Sequence, residues 1–336
     1  MNRIDPLALE VTHDPALPNP VPRTTLAEVV TLLDVTRVDQ PDDQPDSQPD
    51  SQPDSQAGDD VVFTAEHTAL AIVTGHVFGG LVAAQAVVAA CRTVPDDAAR
   101  PRLIHSLHAY FLRPGDPSLP LELRVEQTRD GRAFSHRRVS VQQHGRAIME
   151  MACSFATPEP GLRHQATMPD VPAPEGLRPD WHQLQHLPET HVSATAPGAF
   201  DVRSADTHSR LARDRGEATD RTQQWMRADT GGASRLPNDP VLHTGLFVYA
   251  SDVMVLDPTT RPSALSMLAN DVAPTTIDHA LWFHAPLRAD EWFLFDVDSP
   301  WADNGRGFAR GLVFDRAGTL VAEVAQEGLI RPTARP

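Results

Sequence analysis

The sequence predicts an α+β fold made of two tandem units, each an antiparallel sheet wrapped around one long central helix. Three observations lead to this. Two stretches, one after Gly75 and one after Asn238, read as helices that are apolar almost all round, as expected of helices enclosed by other structure. Each is followed by a series of strand-like segments whose turns (Asp130-Gly131, His144-Gly145, Asn304-Gly305, Ala317-Gly318) read as hairpins. The two series also match locally. Asp130-Gly131-Arg132-Ala133-Phe134 corresponds to Asn304-Gly305-Arg306-Gly307-Phe308, and the GRAIMEMA run from Gly145 to the GTLVAEVA run from Gly318. Self-similarity of this kind marks a duplication.

A chain of 336 residues with 40% hydrophobic residues has length and apolar content for two cores. Residues 1–23 form a polar, Pro-rich tail without the basic-then-apolar pattern of a signal peptide. The first domain is expected at 24–157. Thr25 and Glu28 have the spacing of a capping box and open a short amphipathic helix to about Leu33. A strand at 34–38 follows, then an insert at 40–59 dominated by Pro-Asp-Ser-Gln repeats that run to Gln56. That composition cannot bury a core, so the insert is expected to be a solvated, disordered loop. Order resumes with a strand at 61–64. His76-Val77-Phe78-Gly79-Gly80 opens the first apolar helix, 81–91, and strands are expected at 103–112, 119–127, 133–143 and 147–156.

Residues 158–196, Pro-rich and without period, read as a linker, and the second domain occupies 197–334. Strands at 199–203 and 223–227 precede its helix. Asn238 or Asp239 can cap that helix, and Pro240 suits its first turn, where a missing N–H costs nothing. The apolar run continues to Leu256, and Asp257-Pro258 stops it. Strands are expected at 276–283, 292–297, 307–314 and 320–330. Asp252 stands near the end of the helix, and an unpaired carboxylate there is costly, so the fold must satisfy or use it.

With 29 Lys+Arg, all of them arginine, against 45 Asp+Glu, the formal net charge is -16, which argues against nucleic acid or an anionic membrane as partner. No apolar run approaches spanning length. Cys91 and Cys153 lie in apolar surroundings and suit buried thiols of a reducing compartment, so a cytoplasmic protein is expected. A homo-oligomer is expected as well.

Several long segments in the right order resemble the type II acyl-CoA thioesterases: 76–80 (HVFGG), 105–116 (HSLHAYFLRPGD), 130–135 (DGRAFS), 249–252 (YASD), 276–284 (TIDHALWFH) and 326–331 (QEGLIR). The resemblance spans nearly the whole chain outside the tail and the insert. It implies the double hotdog fold and hydrolysis of fatty acyl-CoA to free acid and CoA, without metal or organic cofactor. It also implies that Asp252, Thr276 and Gln326 hold one water, with Asp252 as base. The residues themselves agree in part. Asp252 is ionisable on a buried helix, Gln326 interrupts the apolar run 320–325 where the first repeat has Cys153, and Thr276 opens an apolar strand. Singly, each is explained as well by structure. A backbone N–H at the start of a central helix is the expected oxyanion donor.

Competing sites are weaker. His105 and His108, and likewise His279 and His284, sit at odd separations on single strands and cannot share one metal. Asp278 reads as structural. Gly79-Gly80 lacks the spacing and Lys of a phosphate loop and suits close packing of helix against sheet. Leu81 stands where the resemblance implies Gln, which puts in doubt any auxiliary role for the first repeat. Arg132, Arg137, Arg138 and Arg306 could meet CoA phosphates, or simply occupy solvated strand faces. A hotdog enoyl-CoA hydratase and a non-catalytic acyl-CoA-binding protein are the alternatives; release of free thiol separates them from a thioesterase.

Overall fold

In the computed structural model, residues 24–38, 60–67, 72–73, 75–95, 97, 101–185, 187, 198–232 and 235–333 are described. The 1–23 tail and the 40–59 insert lie outside these residues.

The chain opens with α1 (Leu26–Leu32), whose capping box is formed: Glu28 N donates to Thr25 Oγ1 at 3.2 Å, and Thr25 N donates to Glu28 at 2.7 Å. Then follow β1 (Thr36–Arg37), β2 (Val61–Ala65), the short pair β3 (Ile72–Val73) and β4 (His76–Val77), and α2 (Gly79–Cys91). Next come β5 (Leu103–Phe111), β6 (Leu121–Asp130), β7 (Phe134–Gln143) and β8 (Arg146–Ala156), of which β6, β7 and β8 pair in sequence and β5 lies beside β8. The connecting segment contains α3 (Asp180–Leu184). The second half contributes β9 (Phe200–Ser204), α4 (Ser209–Arg215), β10 (Arg221–Ala228) and α5 (Pro240–Ser251). It ends with β11 (Val272–Thr276), β12 (Asp278–Phe283), β13 (Phe293–Asp303), β14 (Arg306–Asp315) and β15 (Leu320–Pro332).

Two sheets were expected; the structure joins them. One 13-stranded antiparallel sheet runs β1-β2-β6-β7-β8-β5-β12-β15-β14-β13-β10-β9, with β11 also pairing β15. The seam is β5 against β12, with Leu107 directly opposite Leu281 and both fully buried. Without the seam each strand would present an edge of unpaired N–H and C=O groups, and each shields the other's. The motif match equates Ser135 with Ala309, and their cross-strand partners on the last strand are Phe155 and Gln326. Leu107 pairs with Cys153 and Leu281 with Val324, which gives the same correspondence. The first repeat's counterpart of Gln326 is therefore Phe155, not Cys153. The second hairpin has a longer turn, closing at Phe314–Leu320 where the first closes at Gln143–Arg146, so matching Gly145 to Gly318 slips the register.

Both central helices are buried on nearly all sides. α2 lies on β5, β6, β7 and β8 and against α5. Its one polar side chain, Gln85, donates to Leu32 O at 2.9 Å and to Glu66 O at 2.8 Å, as a buried amide must. On α5, Phe247 stacks on Phe295 and meets Phe283 and Phe293 edge-on. The helices approach closely and run antiparallel. A Cβ at Gly80 would lie 2.8 Å from Tyr249 O, and one at Gly245 would lie 2.9 Å from Val88 Cγ2. Gly80 is thus required by helix-on-helix contact rather than by helix against sheet.

α5 begins as expected, with Pro240 in its first turn and Asp239 as cap, accepting from Val241 N at 2.9 Å and Leu242 N at 3.3 Å. It ends earlier than expected, at Ser251, with Asp252 as C-cap. The side chains of Ser251 and Asp252 bond outward to β12, β11 and β15 instead of continuing an apolar helix.

The connecting segment lies along the second half. Met168, Val171 and Leu177 rest on Trp225, Trp292 and Leu294, and Trp225 Nε1 donates to Pro172 O at 2.9 Å. In α3, Asp180 accepts from Ser204 N and Oγ at 2.7 and 2.9 Å, its pKa pushed up by burial to about 7. No helix among the described residues is long and apolar enough to cross a membrane.

Candidate active site

The three residues singled out from the sequence meet at one point. Asp252 arrives at the C-cap of α5, Thr276 at the last position of β11, and Gln326 from the middle of β15. Gln326 Nε2 donates to Asp252 Oδ1 at 2.8 Å and to Thr276 Oγ1 at 2.8 Å. Thr276 Oγ1 lies 3.4 Å from Asp252 Oδ1, a long contact for a hydroxyl donor. Thr276 does not open a strand as expected. It closes β11, and Ile277 carries the chain into β12, its N–H donating to Glu327 O and its carbonyl accepting from Phe111 N, both at 2.9 Å. This break lets β12 pair with β5 as well as β15, and it turns Thr276 toward the helix end.

The first repeat closes the site. The Gly80 backbone N–H of α2 donates to the Asp252 carboxylate. A Cβ at Gly79 would lie 3.1 Å from Asp252 Oδ2 and 3.1 Å from the Phe111 ring. α2 has no side-chain cap, since its N-cap is Phe78, so the positive end of its dipole lies beside Asp252. Burial raises the Asp252 pKa to about 6, against the opposing pull of the Gln326, Thr276 and Gly80 donors. The residue nonetheless keeps some surface open.

Behind Gln326 stands His279, fully buried on β12. Its Nδ1 is 3.1 Å from Gln326 Oε1 and its Nε2 is 2.8 Å from Ser251 Oγ. Burial lowers its pKa to about 4, so it is neutral near pH 7. A second buried carboxylate, Asp257, has its pKa raised to about 6 by burial but belongs to a different network, with Thr222 at 3.3 Å and the Arg261 cation nearby. Asp278 accepts from Glu327 N at 2.9 Å and holds backbone, as expected.

Comparison with known proteins identifies the family. The acyl-CoA thioesterase N-terminal domain profile matches residues 71–156 and the C-terminal domain profile matches 165–330. Acyl-CoA thioesterase 2 of Haemophilus influenzae is 36% identical over 278 residues, covering 81% of this chain and 93% of its own. The chain belongs to the acyl-CoA thioesterase II family. A solved acyl-CoA thioesterase II from Mycobacterium marinum is 33% identical with a TM-score of 0.65, covering 91% of this chain and 99% of that one. A hot dog-fold protein from Alicyclobacillus acidocaldarius, at 20% identity and a TM-score of 0.65, covers 81% of this chain and 94% of its own and shares the fold.

Against the pattern expected of the family, Leu81 is fully buried on α2, in a cluster with Leu32, Phe78 and Tyr249. Of the arginines considered for CoA, Arg137 is excluded. It is fully buried, bonded bidentately to Asp130 at 3.0 Å and to Thr93 Oγ1 at 2.8 Å. Arg138 pairs with Glu150 at 3.5 Å, and Arg306 pairs with Glu327 at 3.0 Å while lying over Trp301. Sequence reasoning missed His279, Ser251, Phe111 and the Gly80 N–H. A lone histidine between apolar strand positions reads as core, and a backbone donor carries no side-chain signal.

Proposed function

We infer that this thioesterase-family chain hydrolyses acyl-CoA to a free acid and CoA, using a water held by Asp252, Thr276 and Gln326, within a double hotdog in which each repeat supplies one central helix. The observation that carries this is the Asp252 carboxylate at a helix C-cap, ionisable near neutral pH and fixed by donors from both repeats. Gln326 directs both amide N–H groups at Asp252 Oδ1 and Thr276 Oγ1, which locks those two oxygens relative to each other. A water donating to Asp252 finds Thr276 beside it, and the long Thr276–Asp252 contact leaves that hydroxyl free to turn to the water's lone pair.

Attack forms the C–O bond at the thioester carbonyl while the water's proton passes to Asp252. Collapse then breaks the C–S bond, and the proton leaves Asp252 for the thiolate. The developing oxyanion is served by the positive end of the α2 dipole; the Gly80 N–H there is held by Asp252, and those of Leu81 and Val82 by Phe78 O. An enoyl-CoA hydratase would need an aspartate and a histidine facing substrate together, whereas His279 sits behind Gln326. The test is thiol release from a panel of acyl-CoA chain lengths. Turnover supports the reading, and tight acyl-CoA binding without thiol release would replace it with a binding role.

A further inference from the structure

We propose that His279, with Ser251 behind it, is a positioning residue that fixes which end of the Gln326 amide faces Asp252. The proposal rests on the reading of Asp252 as the base, and begins with the hydrogen bonds of the Gln326 amide. A glutamine amide has two N–H donors and one carbonyl. Both donors of Gln326 are taken, by Asp252 Oδ1 and Thr276 Oγ1, each at 2.8 Å. Its Oε1 therefore needs a donor from the other side, and His279 Nδ1, at 3.1 Å, is placed to supply it. A neutral imidazole carries one N–H. With the proton on Nδ1, Nε2 must accept; Ser251 Oγ, 2.8 Å from Nε2 and also 2.8 Å from Val248 O, supplies that donor by turning its one proton from the carbonyl to the ring.

The relay thus runs from Ser251 to His279 to Gln326 to Asp252 and Thr276, and it closes on the residue next to its start. All the groups behind Asp252 are buried: Ser251 and His279 fully, Gln326 at 1% exposure. Water is not at hand to replace a missing donor there. A Gln326 amide turned by 180° would put its carbonyl oxygen against the Asp252 carboxylate and its NH2 against the histidine. The flip differs little in shape, so packing cannot prevent it. The histidine tautomer does, because a ring nitrogen bearing a proton cannot accept from an amide NH2. Remove that donor and the amide is free to turn. Asp252 then loses the N–H that favours its ionised form, its pKa rises further, and the water loses a fixed neighbour.

Two near-isosteric replacements separate positioning from bulk. His279→Asn keeps an N–H donor close to the place of Nδ1, and His279→Leu fills the space without one. His279→Leu is expected to lower kcat by about tenfold or more, the scale of an unmet buried hydrogen bond. KM should be little changed, and the acid limb of kcat/KM should move to higher pH. His279→Asn should restore most of kcat and return the limb toward its original position. Ser251→Ala removes the hydroxyl that faces Nε2, together with its contact to Val248 O, and is expected to show the same shift at a smaller size. It also answers the question if both His279 variants fail to fold.

Equal losses in His279→Leu and His279→Asn with the acid limb unmoved would overturn the positioning role, as would wild-type kcat in folded His279→Leu. Where neither His279 variant folds, wild-type kcat and an unmoved limb in Ser251→Ala would do so. Asp252→Asn assayed beside them distinguishes the two failures. If it is inactive while His279→Leu is unimpaired, only the positioning role falls. If it retains full turnover, the reading of the base falls and the positioning role with it.

Discussion

At the C-cap of its central helix the first repeat carries Arg92, and the second carries Asp252. Arg92 is occupied locally, bonding to Val35 O and to Asp34 at 2.8 Å. Asp252 is bonded across the molecule. On the last strand, Phe155 in the first repeat stands where Gln326 stands in the second. Arg102 of the first repeat is tied to Asp130, Ser135 and Gly131. His105, on β5, is only partly buried and bonds Ser154 Oγ at 2.8 Å.

The helix starts differ in the opposite sense. α5 is capped by Asp239, which takes its first N–H groups, while α2 is left without a side-chain cap and faces Asp252. One repeat retains the open dipole and the other the acid and amide. The duplicated scaffold therefore holds two pseudo-equivalent corners, one filled by ion pairs, an aromatic ring and a cap, the other left polar and partly open. A single residue cannot tell them apart; the set can.

The sharpest way to break this comparison is to mutate both C-caps. Asp252→Asn should lose roughly two or more orders of magnitude in kcat, the usual scale for a general base, while Arg92→Ala should lower the melting temperature and leave kcat of the folded protein unchanged. The stability effects also differ in sign. The Asp252 pKa is raised from 3.8 to about 6 in the fold, so its contribution favours the native state below the unfolded value and is lost as pH rises through the folded one. At pH 7 the ionised carboxylate costs the fold at most about 3 kcal/mol. Asp252→Asn, which keeps an acceptor for Gln326, should therefore melt no lower than wild type at pH 7.5, and a marked drop would point to a structural aspartate.

Next in size, Gln326→Ala and Thr276→Ala should each reduce kcat, and the double variant should lose less than the product of the two, because both act on one water. The register counterpart behaves otherwise. Phe155→Leu should cost stability of about 1 kcal/mol with kcat intact, as followed by melting and thiol release together. If Phe155→Leu instead impaired kcat specifically, the first repeat would be part of the chemistry on its β8 side too. The smallest effect is expected at the capped helix. Asp239→Ala should lower stability by about 1 kcal/mol, as loss of an N-cap does, without altering turnover.

Much of this architecture is legible in the sequence because its signals are local. Asp239-Pro240 states a helix start, the Gly-containing turns state hairpins, and alternation states which face of β7 is buried. Asp252 is legible as a carboxylate beside an apolar helix. Thr276 and Gln326 were reached through family resemblance, since alone each reads as structural. What stayed hidden depends on contacts remote in sequence. The β5–β12 seam joins strands about 170 residues apart, and no local pattern reports it. The true counterpart of Gln326 needed strand register, because the two hairpins differ in length. His279 alternates with apolar neighbours just as a core residue does, and only the buried Gln326 amide explains it.

The claim at the centre of this account is that Asp252 takes the proton, and the pH dependence of kcat/KM measures it most directly. A protonated carboxylate cannot accept, so wild-type thiol release should fall about tenfold per pH unit below the Asp252 pKa of about 6 and level off above it. In Asp252→Asn the residual hydrolysis should show no inflection in that range. The same acid limb persisting in the variant, or a wild-type profile flat from pH 5 to 8, would contradict the assignment.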